Sequence, residues 1–274
     1  MNTLNKYNLN NQLCVISGGA GLLGEKHAEA ILDGNGRVVL LDINEQLLNE
    51  KVNKLNQTYP DKVWGYKLDI TNESEVEKII NKITTEIDNI DILINNAANN
   101  PHVKESSENF NRLENFPINQ WNQDFAVGLT GAFLLSKYIG PLMAKNKKGV
   151  ILNIASDLGV IAPDQRIYKK AGVDESKQNV KPVTYSVIKH GIIGLTKYLS
   201  TYWATEGVRA NSVSFSGVKN NQPDDFIKKL SDLIPMNRMA DIDEYKGAIL
   251  FLCSDASSYM NGSNVIIDGG RTSW

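Results

Sequence analysis

Short apolar runs recur along the chain, separated by longer stretches in which apolar residues return every three or four positions. The runs are LCVIS (13–17), RVVLLD (37–42), VWGYKL (63–68), DILIN (91–95), GVILNIAS (149–156), RANSVSF (209–215) and NVIID (264–268). Most are continuously apolar rather than alternating, the pattern of parallel strands covered on both faces. Between them, GEKHAEAIL, NEQLLNEKVNKL and SEVEKIINKITTEI place apolar residues at i, i+3, i+4 and i+7 with charges opposite, which predicts amphipathic helices. Asn72 or Ser74 is the expected cap of the helix over 73–88, ahead of an acidic first turn. Strand–helix alternation with right-handed crossovers gives an α/β fold, a doubly wound parallel sheet. No repeat, low-complexity tract or composition break marks a linker, so residues 11–274 read as a single domain behind a polar tail, 1–10. In such a sheet ligands sit beyond the carboxyl ends of the strands, so chemistry is expected where each run stops.

Composition narrows the classes without naming a reaction. The 274 residues carry 29 Lys+Arg against 31 Asp+Glu, a balance that argues against nucleic acid or an anionic membrane as partner. A chain this long buries roughly three quarters of its unfolded surface and needs no disulfide or metal to hold a core. Cys14 and Cys253 both sit inside apolar runs, the usage of a reduced compartment, with no ligand cluster for zinc or iron–sulfur. His27, His102 and His190 are scattered and make neither a metal site nor a triad; His102, after strand four, is the one candidate for a substrate pocket. The polar start lacks the apolar core of a secretory leader, and no apolar run approaches the ~18 residues of a membrane span. The expectation is a soluble cytoplasmic protein.

The first strand ends in Ser17-Gly18-Gly19-Ala20-Gly21-Leu22-Leu23-Gly24, and a helix follows at once. Glycines let the backbone turn tightly and approach a pyrophosphate, whose charge the free N–H groups and dipole of the helix start favour. Strand two ends in Asp42, 18 residues past Gly24. A carboxylate there can accept both ribose hydroxyls and repels a 2′-phosphate; Ile43 follows, and no Arg or Lys lies in the loop. This favours NAD(H) over NADP(H), while a helix cap over 44–57 is a compatible second role for Asp42. Asp69-Ile70 ends strand three, with Asp69 either meeting the adenine amino group or capping the next helix. Strand four ends in Asn95-Asn96-Ala97-Ala98, where small residues admit a nicotinamide ribose and the amides can tie neighbouring strands.

Ser156 follows strand five, and Tyr185-Ser186-Val187-Ile188-Lys189 comes later. Tyr and Lys at i and i+4 share one helix face. An ammonium beside a phenol stabilises phenolate and lowers a pKa normally ~10, making Tyr185 a usable acid–base group. Ser156 could then hydrogen-bond a substrate oxygen as it changes between alcohol and carbonyl.

In order, SGGAGLLG, Asp42, LDI at 68–70, NNAA, NIAS at 153–156, YSVIK, RANSVSFSG and IIDGG resemble the short-chain dehydrogenase/reductase family over about residues 10 to 274. The resemblance implies a Rossmann-type fold, a nicotinamide cofactor and hydride transfer at an alcohol or ketone carbon. It makes Tyr185 the acid–base, Lys189 the group that binds cofactor ribose and tunes Tyr185, and Ser156 the residue that orients substrate. The cofactor-binding set it implies is Ser17, Gly18, Gly21, Leu23, Gly24, Asp42, Ile43, Asp69, Ile70, Asn96, Ala97, Ala98, Tyr185, Lys189, Gly217 and Val218.

Four departures stand out. The glycines at 18, 21 and 24 follow the family's extended branch, whereas the short branch carries its middle glycine where this chain has Leu22; the ending is of the short, single-domain type. Gly128 stands where the family usually has an Asn that holds a relay water, so it is left out of the catalytic set. Ser216-Gly217 replaces Pro-Gly after strand six. Ser156 and Tyr185 are 29 positions apart, and the long interval holds a polar insert, about 157–182, with Asp164, Arg166, Tyr168, Lys169 and Lys170. A loop there overhangs the substrate side, and its polarity suits a sugar, polyol or phosphorylated compound. The glycine loop, the insert and SSYMNG also look like family members associated with flagellin modification and nonulosonic-acid sugar synthesis. Asn221 and Gln222 are candidates for carboxamide or substrate contact, or for loop capping; Met236 to Met239 read as packing. Long apolar helix faces at 118–144 and 183–205 imply, by the family's habit, a homodimer or homotetramer. Gly128 also leaves open a nucleotide-binding sensor that has lost turnover, and the glycine spacing an NAD-retaining epimerase or dehydratase.

Overall fold

The computed structural model describes residues 2–99 and 111–274. Seven parallel strands form one sheet in the order β3-β2-β1-β4-β5-β6-β7. They are β1 (Leu13–Ser17), β2 (Arg37–Asp42), β3 (Val63–Lys67), β4 (Ile92–Asn95), β5 (Gly149–Ile154), β6 (Val208–Phe215) and β7 (Asn264–Ile267). The helices are α1 (Leu22–Asp33), α2 (Glu45–Thr58), α3 (Glu73–Glu86), α4 (Ile118–Phe125), α5 (Gly131–Lys145), α6 (Val183–Tyr202), α7 (Asp224–Ser231) and α8 (Lys246–Cys253). Strand order reverses between β1 and β4, so their carboxyl ends open the crevice in which doubly wound sheets bind ligands.

The continuous apolar runs are explained by two cores, one on each face. In β1, Cys14 and Ile16 point into a layer with α1, α2 and α8. Leu13 and Val15 point into the other, with α3, α5 and α6. All five β1 residues are consequently buried. The outer strands lose one cover: β3 beyond Val63 is half-buried to exposed, and β7 is half-buried or exposed throughout.

Local capping sets the helix starts. The Asn44 side chain accepts from Leu47 N–H (3.1 Å) at α2, so Asp42 is not that helix's cap. Asn72 accepts from Glu75 N–H (3.3 Å) at α3, which settles the choice between Asn72 and Ser74. The polar first residues also fold: a 3-10 turn, Thr3–Tyr7, precedes a fully buried Leu9, and Tyr7 lies against Phe251.

Between α4 and α5 the helix widens into one π turn, Ala126–Thr130. The combined run Ile118–Lys145 contains an 18-residue window apolar enough for a membrane span, mean hydropathy 1.3, which the apolar runs of the sequence did not show. Here α5 instead packs its buried face on α3 and β5.

The segment 157–182 folds as three 3-10 turns, Asp157–Gly159, Gln165–Tyr168 and Glu175–Lys177. Ile167 anchors it in a small apolar cluster with Leu230, Ile234 and Met239. Four of its charges turn on one another: Arg166 pairs with Asp164 (2.5 Å) and Lys169 with Glu175 (2.7 Å). The Ile167 packing anchors the middle of the segment, while Asp157 and Lys181 at its two ends line the cavity.

Candidate active site

A cavity of about 660 Å³ runs along the carboxyl ends of the strands. One end is the turn after β1. Gly18 has φ +60°, and a Cβ on it would come within 2.9 Å of Ala97 Cα. A Cβ on Gly24 would fall 2.2 Å from the Gly18 carbonyl oxygen, so α1 starts hard against the turn. The Glu25 N–H to Gly21 C=O bond (3.1 Å) is α1's first. The amides of Leu22 to Gly24 are therefore first-turn donors beside the cavity.

Ala20 N–H donates to Asp42 Oδ2 (3.1 Å) and Asn44 N–H to Asp42 Oδ1 (3.0 Å). The carboxylate is thus fixed at the tip of β2, next to an exposed Ile43. Asp69 accepts from both the N–H (2.9 Å) and the hydroxyl (2.7 Å) of Thr71; it braces its own turn and leaves the capping of α3 to Asn72. The amides after β4 do tie strands: Asn95 donates to Asn153 (2.8 Å), and Asn96 to the carbonyls of Ser17 and Gly18 (3.1 and 3.0 Å).

The cavity collects Gly18, Gly21, Leu23, Asp42, Ile43, Asp69, Ile70, Asn96, Ala97, Ala98, Ser156, Tyr185, Lys189, Gly217 and Val218 on one surface. Ser17 and Gly24 stand behind its wall. Ser17 is buried, with its hydroxyl accepting from the N–H groups of Asn96 and Ala97 (3.1 and 3.2 Å), and Gly24 serves close packing. Gln222 bonds Asn220 N–H (2.6 Å) and Val218 C=O (2.8 Å), bracing its loop, and also lines the cavity, whereas Asn221 does not. Met239 is buried, whereas Met236 is exposed. His102 lies outside the described residues.

At the other end Tyr185 and Lys189 share the inner face of α6, with Lys189 Nζ 5.8 Å from the centre of the Tyr185 ring. Lys189 is buried and donates to Ile154 C=O (2.7 Å). Burial, and then the charge of Lys181, pushes its pKa down to about 8. Burial pushes the Tyr185 phenol up, against a smaller lowering by the Ser156 hydroxyl. In the protein alone, then, desolvation outweighs the lowering expected from a neighbouring ammonium.

Gly128 lies in the π turn facing α6. A Cβ there would come 2.7 Å from Ile188 Cγ2, so the space a side chain would occupy at 128 is filled by Ile188.

Sequence reasoning missed Asp157, Lys181 and Arg271, all of which line this end. Lys181, the last charged residue of the insert, sits 3.8 Å from the Tyr185 ring centre, and burial pushes its pKa down to about 8. Asp157 and Arg271 form a buried pair (2.7 Å). Adjacency to Ser156 was the available signal for Asp157; for Arg271, 114 residues away, there was none.

A seven-stranded parallel sheet with a cavity at its switch point is the architecture of the doubly wound folds that bind dinucleotides. The chain belongs to the short-chain dehydrogenase family, whose model matches residues 12–225. It is 29% identical to the NAD-dependent glycerol dehydrogenase of Listeria innocua (97% of this chain, 96% of that one). It is 27% identical to the D-threitol dehydrogenase of Mycolicibacterium smegmatis (97% and 95%). It is also similar, at 25% identity, to the post-translational flagellin modification protein A of Campylobacter coli (96% and 98%). Among solved structures it resembles a short-chain dehydrogenase from Leptospira borgpetersenii with bound NAD+, at 32% identity and TM-score 0.79 (99% and 96%). Similar structures with NADP also occur.

Proposed function

We propose that this protein is an NAD(H)-dependent oxidoreductase that interconverts an alcohol and a carbonyl on a polar, sugar- or polyol-like substrate. The observation that carries this reading is the single cavity joining the glycine turn and Asp42 to Ser156, Tyr185 and Lys189. The donor set fits a dinucleotide: tight glycines and first-turn amides for phosphate, a fixed carboxylate for ribose hydroxyls, and small residues at Ala97 and Ala98 beyond. Bound there, the nicotinamide supplies the carbon that accepts or gives hydride.

The chain's own residues handle the proton. Ionised Tyr185 takes the alcohol proton on its phenolate oxygen in oxidation, and the phenol returns it in reduction. Lys189, anchored on the Ile154 carbonyl, holds a positive charge beside that oxygen and serves the cofactor ribose. Ser156 lies beside Tyr185 and orients the reacting oxygen. Asp42 favours NAD(H), since a second anion beside its carboxylate is repelled. A small-polyol substrate is supported by the glycerol and threitol dehydrogenases among the relatives and by the half-polar wall of the insert.

The test is a panel of polyols, sugars and sugar acids with NAD+ and NADP+, read at 340 nm. NAD+-linked turnover that Tyr185→Phe abolishes supports the reading. Co-purified NAD with substrates rearranged at unchanged mass would favour an epimerase, and cofactor binding without turnover a sensor. Cytoplasmic residence and a homodimer or homotetramer built on α5 and α6 belong to the same proposal.

A further inference from the structure

Ser156 has one proton to give, and the structure shows where it goes. Its Oγ donates to Asp157 Oδ1 at 2.8 Å. An ionised carboxylate only accepts, so the direction is set by chemistry. The Leu158 N–H donates to both Ser156 Oγ (3.2 Å) and Asp157 Oδ1 (2.8 Å). The remaining carboxylate oxygen, Oδ2, accepts from Arg271 Nη1 at 2.7 Å. Ser156, Asp157 and Arg271 are all buried, at 5%, 3% and 6% exposure, and all three line the cavity. Arg271 arrives from the last turn of the chain, Arg271–Ser273, whose start is tied by Asp268 to the N–H groups of Gly270 and Thr272 (2.9 and 2.7 Å).

We propose that Arg271 and Asp157 are positioning residues that lock the Ser156 hydroxyl with its lone pairs toward Tyr185, making the C-terminal turn part of the reaction centre. A buried carboxylate without its cation is costly, and Arg271 supplies that cation to Asp157. Asp157 in turn keeps the Ser156 proton away from the phenol. Ser156 Oγ is thereby an acceptor for the neutral phenol O–H or a substrate hydroxyl, and it donates to a carbonyl, or to the phenolate whose ionisation it favours, only by leaving Asp157. The proposal rests on the reading of Tyr185 as the acid–base group.

The charged and titratable groups around that phenol are few enough to test. Lys189 faces it from α6, Lys181 and Tyr168 from the insert, and Asp157 with Arg271 from β5's end and the C-terminal turn. The Asp157 charge raises the phenol's pKa. Asp157→Asn should therefore lower the ionisation midpoint of Tyr185, and Arg271→Met, which unmasks the carboxylate, should raise it. The midpoint is read as the phenolate difference absorbance near 295 nm against Tyr185→Phe, on full-length protein without substrate. Both variants should also lose roughly tenfold or more in kcat, about one decade per 1.4 kcal/mol, with NADH affinity within twofold of wild type. Guanidinium ion should restore part of the activity of Arg271→Ala.

Should the single variants fold poorly, Asp157→Asn with Arg271→Met removes both charges, which restores stability while leaving Ser156 unlocked and turnover slow. Midpoints that do not move, or move the same way in both single variants, overturn the proposal. So does wild-type kcat in Arg271→Met while Tyr185→Phe is inactive. Full activity of Tyr185→Phe overturns the underlying reading of the site as well.

Discussion

Gly128 in the π turn and Ile188 on α6 fill a single space: a Cβ on the glycine would lie 2.7 Å from the isoleucine's Cγ2. The space left by the missing side chain at 128 is thus taken by Ile188 across the helix pair, one residue before Lys189. Gly128→Asn alone should overpack this contact and cost about 1–3 kcal/mol. Combined with Ile188→Ser, the asparagine has room, and stability should return to near the wild-type level. Chemical denaturation of the two variants checks this. Equal losses in the single and double variants would mean that the two positions are not coupled.

This pair also shows where the sequence was legible and where it was not. Strands and helices were readable because their signal is local. Runs such as 13–17 are apolar at every position since both sheet faces are covered, and Asn44 and Asn72 cap from within one turn. The glycine turn, Asp42, Ser156, Tyr185 and Lys189 were readable because short spacings place them at strand ends. Gly128 was visible as a departure, but Ile188 as its counterpart was not, since the two are 60 positions apart and meet only when α6 docks. Asp157 with Arg271 stayed hidden for the same reason. The insert's charges suggested a polar roof, yet pairing within the segment left Ile167, Tyr168 and Lys181 to meet the cavity.

The turn after β1 separates its glycines by function. A methyl on Gly24 would meet backbone, 2.2 Å from Gly18 O and 2.8 Å from Gly19 Cα, whereas one on Gly21 meets only Gly18 O at 3.2 Å. Backbone cannot step aside as a side-chain tip can. Gly24→Ala should therefore lose roughly 1–3 kcal/mol, about 2–4 °C of melting temperature per kcal/mol for a chain this size. Gly21→Ala should melt near wild type. Similar melting of both variants would contradict this division.

His27 gives the fold an acid limit. It is buried on α1 against Phe215, and neither ring nitrogen has a hydrogen-bond partner among the described residues. Burial pushes its pKa down to about 3, against a smaller upward pull from Asn96. Below pH 6.5 the unfolded chain takes a proton here that the native protein refuses. His27's cost is therefore absent above 6.5 and grows as pH falls toward 3, by up to ~1.4 kcal/mol per unit. Between pH 7.5 and 5 the wild type should lose about 2 kcal/mol more stability than His27→Leu, since contributions from other groups cancel in the comparison. Equal losses in urea titrations at the two pH values would exclude this account.

The proposed preference for NAD(H) turns on Asp42. Its two oxygens are held by the amides of Ala20 and Asn44, so the carboxylate cannot swing away from a ligand carrying a 2′-phosphate. The nearest basic residue along β3, Lys67, is engaged with Glu45 (3.2 Å) and offers that phosphate no ready partner. Wild-type protein should bind NADH at least about tenfold more tightly than NADPH, a difference of ~1.4 kcal/mol. Asp42→Asn keeps an acceptor for the two amides and removes the charge, so it should narrow the preference mainly by improving NADPH binding. Asp42→Ser with Ile43→Arg adds a guanidinium at an exposed position beside the ribose site and should invert the preference, because Arg pairs with phosphate through two parallel hydrogen bonds. Fluorescence titration of the reduced cofactors measures all three proteins without any substrate. Tighter binding of NADPH than NADH by the wild type would overturn the assignment of NAD(H), whatever the substrate proves to be.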